Sequence, residues 1–343
     1  MIDFLTLTLD AAIKSVLMIV SLLTGFAYTT LLERRFIARI QQRIGPNRAG
    51  PWGLLQPVAD GIKVIFKEDI IPNGADKVIF TLAPVLTIIP ALIILAVVPL
   101  GGEVNIFGYH TSLALTSTNV GALYVLAVTS ISVYGITLAG WSSANKYAML
   151  GGLRATAQMI SYEIAMGLSM LAPIMMAGSM RLEDIIDIQK NTWLIVYQPI
   201  AGLIFVITMY AETNRAPFDL PEAEQELTAG FHTEYSGMKF AAFYMAEYMK
   251  MIGVSVIATA LFFGGYRLFG LENWLGGWMG PIILIGKVML SLLVFVWIRA
   301  TLPRIRYDRL MDFGWKVLLP ISLANATITA VLIVLNPWWY RLT

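Results

Sequence analysis

The sequence predicts an all-α polytopic membrane protein with eight transmembrane helices, an interfacial amphipathic helix and both termini outside. Three observations carry this reading. Of 343 residues, 57% are hydrophobic and 13% charged, about half the charge of a typical soluble domain. The mean hydropathy is +0.71. Eight stretches are long and apolar enough to cross a bilayer, and the bases are shared unequally between the loops that join them. So little charge cannot cover a soluble core. Composition therefore excludes a soluble enzyme, a disordered chain and a nucleic-acid binder. The net charge of +2 identifies no partner by itself.

A membrane helix needs ~20 mostly apolar residues. The qualifying stretches are roughly 11–32, 78–99, 120–141, 155–178, 193–211, 238–264, 280–301 and 314–335. The first lacks the basic start and small-residue cleavage site of a signal peptide. Pro84, Pro90, Pro173, Pro199 and Pro320 fall inside spans, where neighbouring helices satisfy the freed carbonyls and a kink is tolerated. No inverted repeat of the transporter kind is visible.

Loops 33–77, 142–154, 212–237 and 302–313 hold 14 Lys and Arg, whereas the termini and the other loops hold 4. Positive charge is retained on the cytoplasmic side. These four loops are thus expected inside, in the cytoplasm, with both termini outside. Trp193, Trp274, Trp278, Trp338 and Trp339 then fall near outer ends, where an aromatic belt belongs.

The chain reads as one membrane domain, 1–343, with two loops that do more than connect. In loop 33–77, Arg35, Arg39 and Arg43 stack on one face if the first span runs on as helix, and Gly45-Pro46 stops it. Within 54–67, Leu55, Val58, Ile62, Ile65 and Phe66 share one helical face, and Gln56, Asp60, Lys63 and Lys67 the other. That helix is too short and polar to span, so it is expected to lie in the interface plane. It serves either as an anchor or as the wall of an opening for a membrane-dissolved molecule. Loop 212–237 carries Glu212, Asp219, Glu222, Glu224, Glu226 and Glu234 against the one base Arg215. Solvation is the ordinary fate of an acidic run. Here Pro217 and Pro221 stiffen the loop, and Phe218, Leu220, Leu227 and Phe231 give it something to bury.

Ionisable residues within spans cost ~2.5–3.5 kcal/mol at a helix centre and are functional candidates by default. Glu163 lies about two turns into the fourth span, with no base within four residues. An unpaired buried carboxylate can carry a proton. Glu247 and Lys250 share a face in the sixth span, where a salt bridge is the plain alternative. Lys287 lies in the seventh, and Glu212 at the inner end of the fifth. The third span has no acid or base, so a relay is not expected along it. Cysteine is absent and histidine occurs twice, at His110 and His232, which excludes thiolate metal sites and cysteine-held iron–sulfur clusters. Dinucleotide and nucleoside triphosphate fingerprints are absent too.

Four motifs, ERRFIARIQQRIGPNRAGPWGLLQPVADGIK, GWSSANKYAMLGGLRATAQMISYE, AETNRAPFDLPEAEQELTAGFHTEYSG and WIRATLPRIRYDRLMDFGWK, resemble the H-subunit family of bacterial NADH:quinone oxidoreductase, respiratory complex I. Its mitochondrial counterpart is subunit 1. The resemblance covers all four inner loops and nearly the whole length. It implies a subunit at the junction of membrane and peripheral arms, whose inner loops help form a quinone chamber opening to the lipid bilayer. By motif, the chamber and its mouth would involve Glu33, Arg34, Arg43, Phe240, Tyr244 and Arg299. An acidic path coupling the chamber to proton translocation would involve Glu163, Glu212, Asp219, Glu222, Glu224, Glu226, Glu234 and Glu247, with Arg215, Arg304 and Arg306 steadying the loops. Phosphate anchoring for the arginines and plain packing for the aromatics are the simpler alternatives. The substrate implied is a quinone. No cofactor is expected on this chain. Iron–sulfur clusters and FMN would lie on partner subunits of the peripheral arm, one of which holds the terminal cluster and the quinone-head site. Small and antiporter-like subunits of the membrane arm would be the other partners. Two rivals stand beside this: the equivalent membrane anchor of an energy-converting hydrogenase, and a stand-alone ion-coupled transporter.

Overall fold

The computed structural model describes residues 2–106, 109–219, 230–273 and 278–335. Its helices, in chain order, are α1 (Ile2–Ile40), α2 (Gln56–Ile65), α3 (Lys77–Ile93), α4 (Gly121–Ser142), α5 (Lys146–Ala177), α6 (Leu182–Asp187), α7 (Leu194–Tyr197), α8 (Pro199–Glu212), α9 (Gly237–Phe262), α10 (Met279–Thr301), α11 (Tyr307–Asp312) and α12 (Leu319–Leu335). A π-helical stretch, Phe313–Leu318, joins the last two.

Among the described residues, seven helices are long and apolar enough to cross a membrane, against the eight expected. The difference is the span expected at 193–211. There the chain breaks at Gln198, whose backbone (φ −128°, ψ 59°) is not helical, and Pro199 begins a new helix. The resulting α8 has 14 residues, ~21 Å at 1.5 Å per residue, short of a ~30 Å hydrocarbon core. Pro199, a kink by its place in the sequence, instead starts a helix, because proline lacks the donor an interior turn needs. A second departure from an all-helical chain is small: β1 (Glu103–Ile106) and β2 (Tyr109–Ser112) pair antiparallel as a hairpin.

The first span continues as helix to Ile40, so Arg35 and Arg39 are helical while Arg43 lies past the end. Asp76 caps α3, accepting from the amides of Val78 and Ile79. Asn145 caps α5 by accepting from Tyr147. These caps begin the two helices where short polar side chains satisfy otherwise orphaned amides.

Helix α9 runs through the middle. Every residue from Tyr248 to Phe262 is buried, and α9 packs on α1, α3 and α10. Close approach elsewhere depends on glycine. A Cβ on Gly135 of α4 would stand 2.2 Å from Thr87 Oγ1 of α3, so only glycine permits that helix contact.

Loops 33–77, 142–154, 212–237 and 302–313 meet at one end. The amide of Asp76 donates to the Ser142 carbonyl and that of Ile305 to Pro217. Ser236 Oγ accepts from Ile70, and Asn145 donates to Glu234. Arg304 pairs with Asp219 at 3.0 Å. The chain leaves this end along α5 and returns along α7 and α8. At the other end, Lys287 donates to the carbonyls of Phe263, Gly265 and Arg267. This lysine thereby clasps the turn that follows α9, while Gln189 donates to the carbonyls of Ala260 and Leu261 in the last turn of the helix, which have no partner within the helix itself.

Trp193 stacks on Phe269, and Trp278 is exposed where α10 begins. Trp274, Trp338 and Trp339 lie outside the described residues.

Candidate functional site

Charge is concentrated where α1, α9 and α10 reach the interlocked loops. Glu33 of α1 is 5% exposed. Its carboxylate accepts from Tyr248 Oη of α9 at 2.7 Å, from Arg299 of α10 and from Arg215 of the third loop at 3.4 Å. Arg215, itself 5% exposed, reaches Glu247 of α9 at 2.5 Å and lies over the Tyr248 ring, 4.2 Å from its centroid. Two acids and two bases thus balance. Burial of ions is tolerable only with such pairing. Burial works against the charge on Arg215. Glu247, with Tyr248 and Glu33 behind it, more than reverses this and holds the guanidinium protonated beyond its usual range.

Three aromatic residues descend α9 at intervals of four. Phe240 stacks on Tyr244, with centroids 6.2 Å apart. Tyr244 and Tyr248 join through their hydroxyls at 3.0 Å. This places Phe240, Tyr244, Tyr248 and Glu33 in one line.

A cavity of about 500 Å³, part of it open to solvent, adjoins this line. Its walls include His232, Phe240, Tyr244, Glu247, Lys250 and Glu212. Glu212 is buried, and among the described residues neither of its carboxylate oxygens has a hydrogen-bond partner. Lys250, also buried, interacts electrostatically with Glu212, Glu163 and Glu247. The last of these has Lys250 as its nearest base in sequence; the structure gives it Arg215 as an ion-pair partner. Glu163, half-buried on α5, accepts hydroxyl donors from Thr129 at 3.2 Å and from Ser130, both on α4.

The remaining candidates are spread more widely. Arg34 pairs with Asp60 of α2 at 2.7 Å, tying the amphipathic helix to α1. Arg43 is exposed and bonds Gln41. Glu234 accepts from Asn145 at 2.7 Å. Arg306 pairs locally with Asp308 at 2.9 Å, both exposed. Glu222, Glu224 and Glu226 lie outside the described residues. The amphipathic helix is Gln56–Ile65, shorter than the 54–67 expected, and its apolar residues Val58, Ile62 and Ile65 are exposed.

Sequence reading passes over several participants. Tyr248 continues the four-residue spacing of Phe240 and Tyr244, and that spacing is legible. Gln158, fully buried, donates to the carbonyls of Ala211 and Phe218 and to Asn214 Oδ1, pinning the backbone on both sides of Arg215. A single glutamine in an apolar span offers no such signal. Thr129 and Ser130 escape notice because hydroxyls do not register as charge.

A bundle of long apolar helices, carrying at one end a balanced and largely buried cluster of charge, defines a polytopic membrane protein. Comparison with known proteins is more specific. The family model described as NADH dehydrogenase matches residues 13–330. The H subunit of NADH-quinone oxidoreductase from Protochlamydia amoebophila is 53% identical over 308 residues, 90% of this chain and 92% of that protein. An H subunit of the same enzyme from Geobacter metallireducens is 49% identical over 96% of this chain and 98% of its own length. The H subunit from Streptomyces avermitilis is 48% identical over 90% of this chain and 70% of its own. The chain belongs to the H-subunit family of NADH-quinone oxidoreductase. It is a multi-pass membrane subunit of that enzyme, and other subunits of the complex are its partners. The absence of cysteine agrees with iron–sulfur clusters held elsewhere in the complex.

Proposed function

We propose that this subunit forms much of the quinone chamber and couples quinone reduction to proton translocation through its buried carboxylates. The observation that carries the reading is the continuity between two unlike regions. A balanced ionic cluster, Glu33, Arg215, Glu247 and Arg299, shares Glu247 with the lining of a cavity that Glu212 and Lys250 also line, and these two interact electrostatically with Glu163. A negative charge gained beside the cluster perturbs a network whose members are already paired. In a dry interior such a perturbation reaches further than in water.

An apolar groove between α1, α9 and α10, about 990 Å³ including the part open to its surroundings, supports the same reading. Its lining includes Thr29 and Leu32, about one turn or less from Glu33, and Ile252, one turn from Tyr248. It suits an isoprenoid tail whose head lies toward the charged cluster. The exposed apolar face of α2, held by Arg34 to α1, suits the rim of the mouth. Electrons reach the quinone from clusters on the peripheral-arm subunits. The quinone takes two electrons and two protons to become quinol. The exposed faces of the bundle meet lipid and the small and antiporter-like subunits. On this reading α8 with α7 completes an eighth crossing, and the interlocked loops face the cytoplasm.

Glu163→Gln tests the coupling. It keeps size and hydrogen bonding but cannot titrate. The complex is expected to assemble and to pass electrons from NADH to a hydrophilic acceptor, while pumping-coupled quinone reduction falls strongly. Glu163→Asp retains part of it. Full coupled turnover in the Gln variant overturns the proton-carrying role, and failure to assemble supports a purely structural one.

A further inference from the structure

We infer that Ser130, seconded by Thr129, is a positioning residue for Glu163: its hydroxyl changes partner between the Leu126 carbonyl and the Glu163 carboxylate as Glu163 takes up or releases a proton. The inference rests on the reading of Glu163 as a proton carrier. Ser130 Oγ lies 2.9 Å from the Leu126 carbonyl and also contacts Glu163 Oε1. Thr129 Oγ1 lies 3.2 Å from the same carboxylate oxygen, 3.2 Å from the Val125 carbonyl and 2.9 Å from that of Leu126.

A hydroxyl owns one proton and can serve one of these acceptors well. When Glu163 is ionised, its carboxylate is the stronger acceptor, and the hydroxyls turn to it. When Glu163 is protonated it becomes a donor. Ser130 Oγ then accepts, and the serine proton returns to the carbonyl four residues back. The serine neither gains nor loses a proton; only its direction reverses.

Back-bonding to the preceding turn is ordinary for serine and threonine in helices, and alone it would mean nothing. The distinguishing feature is convergence. Two consecutive hydroxyls of α4, a helix without acid or base, cross a helix interface to the same oxygen of one carboxylate. Glu212 and Lys250 act on Glu163 from α8 and α9 through their charges. The charges bear no directed hydrogen bond to Glu163 in this arrangement; the hydroxyls supply the direction.

The test uses the assembled complex in membranes, with Ser130→Ala, Ser130→Thr and Ser130→Ala combined with Glu163→Gln. Loss of a hydrogen bond to a charged group corresponds to about a tenfold loss of coupled quinone reduction in Ser130→Ala. Threonine is expected to restore it. The alanine is expected to add nothing in the Glu163→Gln background. The infrared carbonyl band of protonated Glu163, identified by its disappearance in Glu163→Gln, is expected at higher frequency in Ser130→Ala. Should the alanine variant fail to assemble, Ser130→Cys, a weaker donor of similar size, carries the same comparison. Parental turnover with an unmoved band overturns the inference, as does an equal loss added to Glu163→Gln. If Glu163→Gln is itself fully coupled, the proton-carrier reading has failed and takes the inference with it. If that variant is impaired while Ser130→Ala is parental, only the inference falls.

Discussion

Arg215 meets Glu247 at 2.5 Å across the join between a loop and a membrane helix. This contact locks the third loop to α9, the most buried of the long helices among the described residues. Arg215 also faces Glu33, so removing it leaves buried Glu33 and half-buried Glu247 each short of a base. Breaking a buried pair from one side costs ~3–5 kcal/mol. Arg215→Ala is therefore expected to lower the yield of assembled complex and its melting temperature. Adding Glu247→Gln is expected to recover part of the loss. A double variant no more stable than the single would show that the contact contributes little.

Tyr248 separates packing from polarity. Its ring lies under Arg215 and its hydroxyl donates to Glu33. Tyr248→Phe keeps the ring and drops the donor, at ~1.5–3 kcal/mol for a bond to a charged group. Assembly and NADH oxidation by a hydrophilic acceptor are expected to persist while quinone turnover falls. Unchanged quinone kinetics would leave the hydroxyl a bystander.

The exposed apolar face of α2 leads to a steady-state comparison. Val58→Trp adds bulk where a long isoprenoid tail would pass. The ratio of long-tail to short-tail quinone turnover is expected to drop. A parental ratio with lower total activity would make α2 an anchor and move the mouth elsewhere.

Orientation is open to direct labelling, since the chain has no cysteine of its own. Asn191 and Lys146 are both exposed and lie at opposite ends of the chain's passage through α5. On intact cells a membrane-impermeant thiol reagent is expected to label Asn191→Cys and spare Lys146→Cys. The reverse pattern inverts the topology.

Glu272, outside the spans, gives a pH prediction. Burial tends to raise its titration point. Backbone donors, including the amides of Leu268 and Gly270, and the Arg267 charge more than offset this and hold it below the usual carboxylate range. A group depressed in the folded state contributes stability above its unfolded value, ~4.3 for Glu, and loses it as pH falls through the folded value. The 268–272 turn is expected to loosen only on strong acidification. Melting measured from neutral to low pH is expected to show a steeper decline in the parent than in Glu272→Gln. Parallel curves would contradict the assignment.

The membrane class, the basic loops and most helix positions were legible in the sequence, because apolar runs and charge asymmetry are one-dimensional signals. So were Glu163, Glu212 and Glu247, since an acid in an apolar span stands out wherever it points. Its partners do not. Glu33, Arg215, Glu247 and Arg299 come from four places in the chain, and only packing of α1, α9 and α10 against the third loop decides that they neutralise one another. The break at Gln198, the clasping of the turn after α9 by Lys287 and the turning of Thr129 and Ser130 toward Glu163 also belong to tertiary structure. Each is a choice among hydrogen-bond partners, and those choices are made by which helix lies alongside. Hydropathy determined which segments are fit to enter the membrane; close packing determined what each side chain meets.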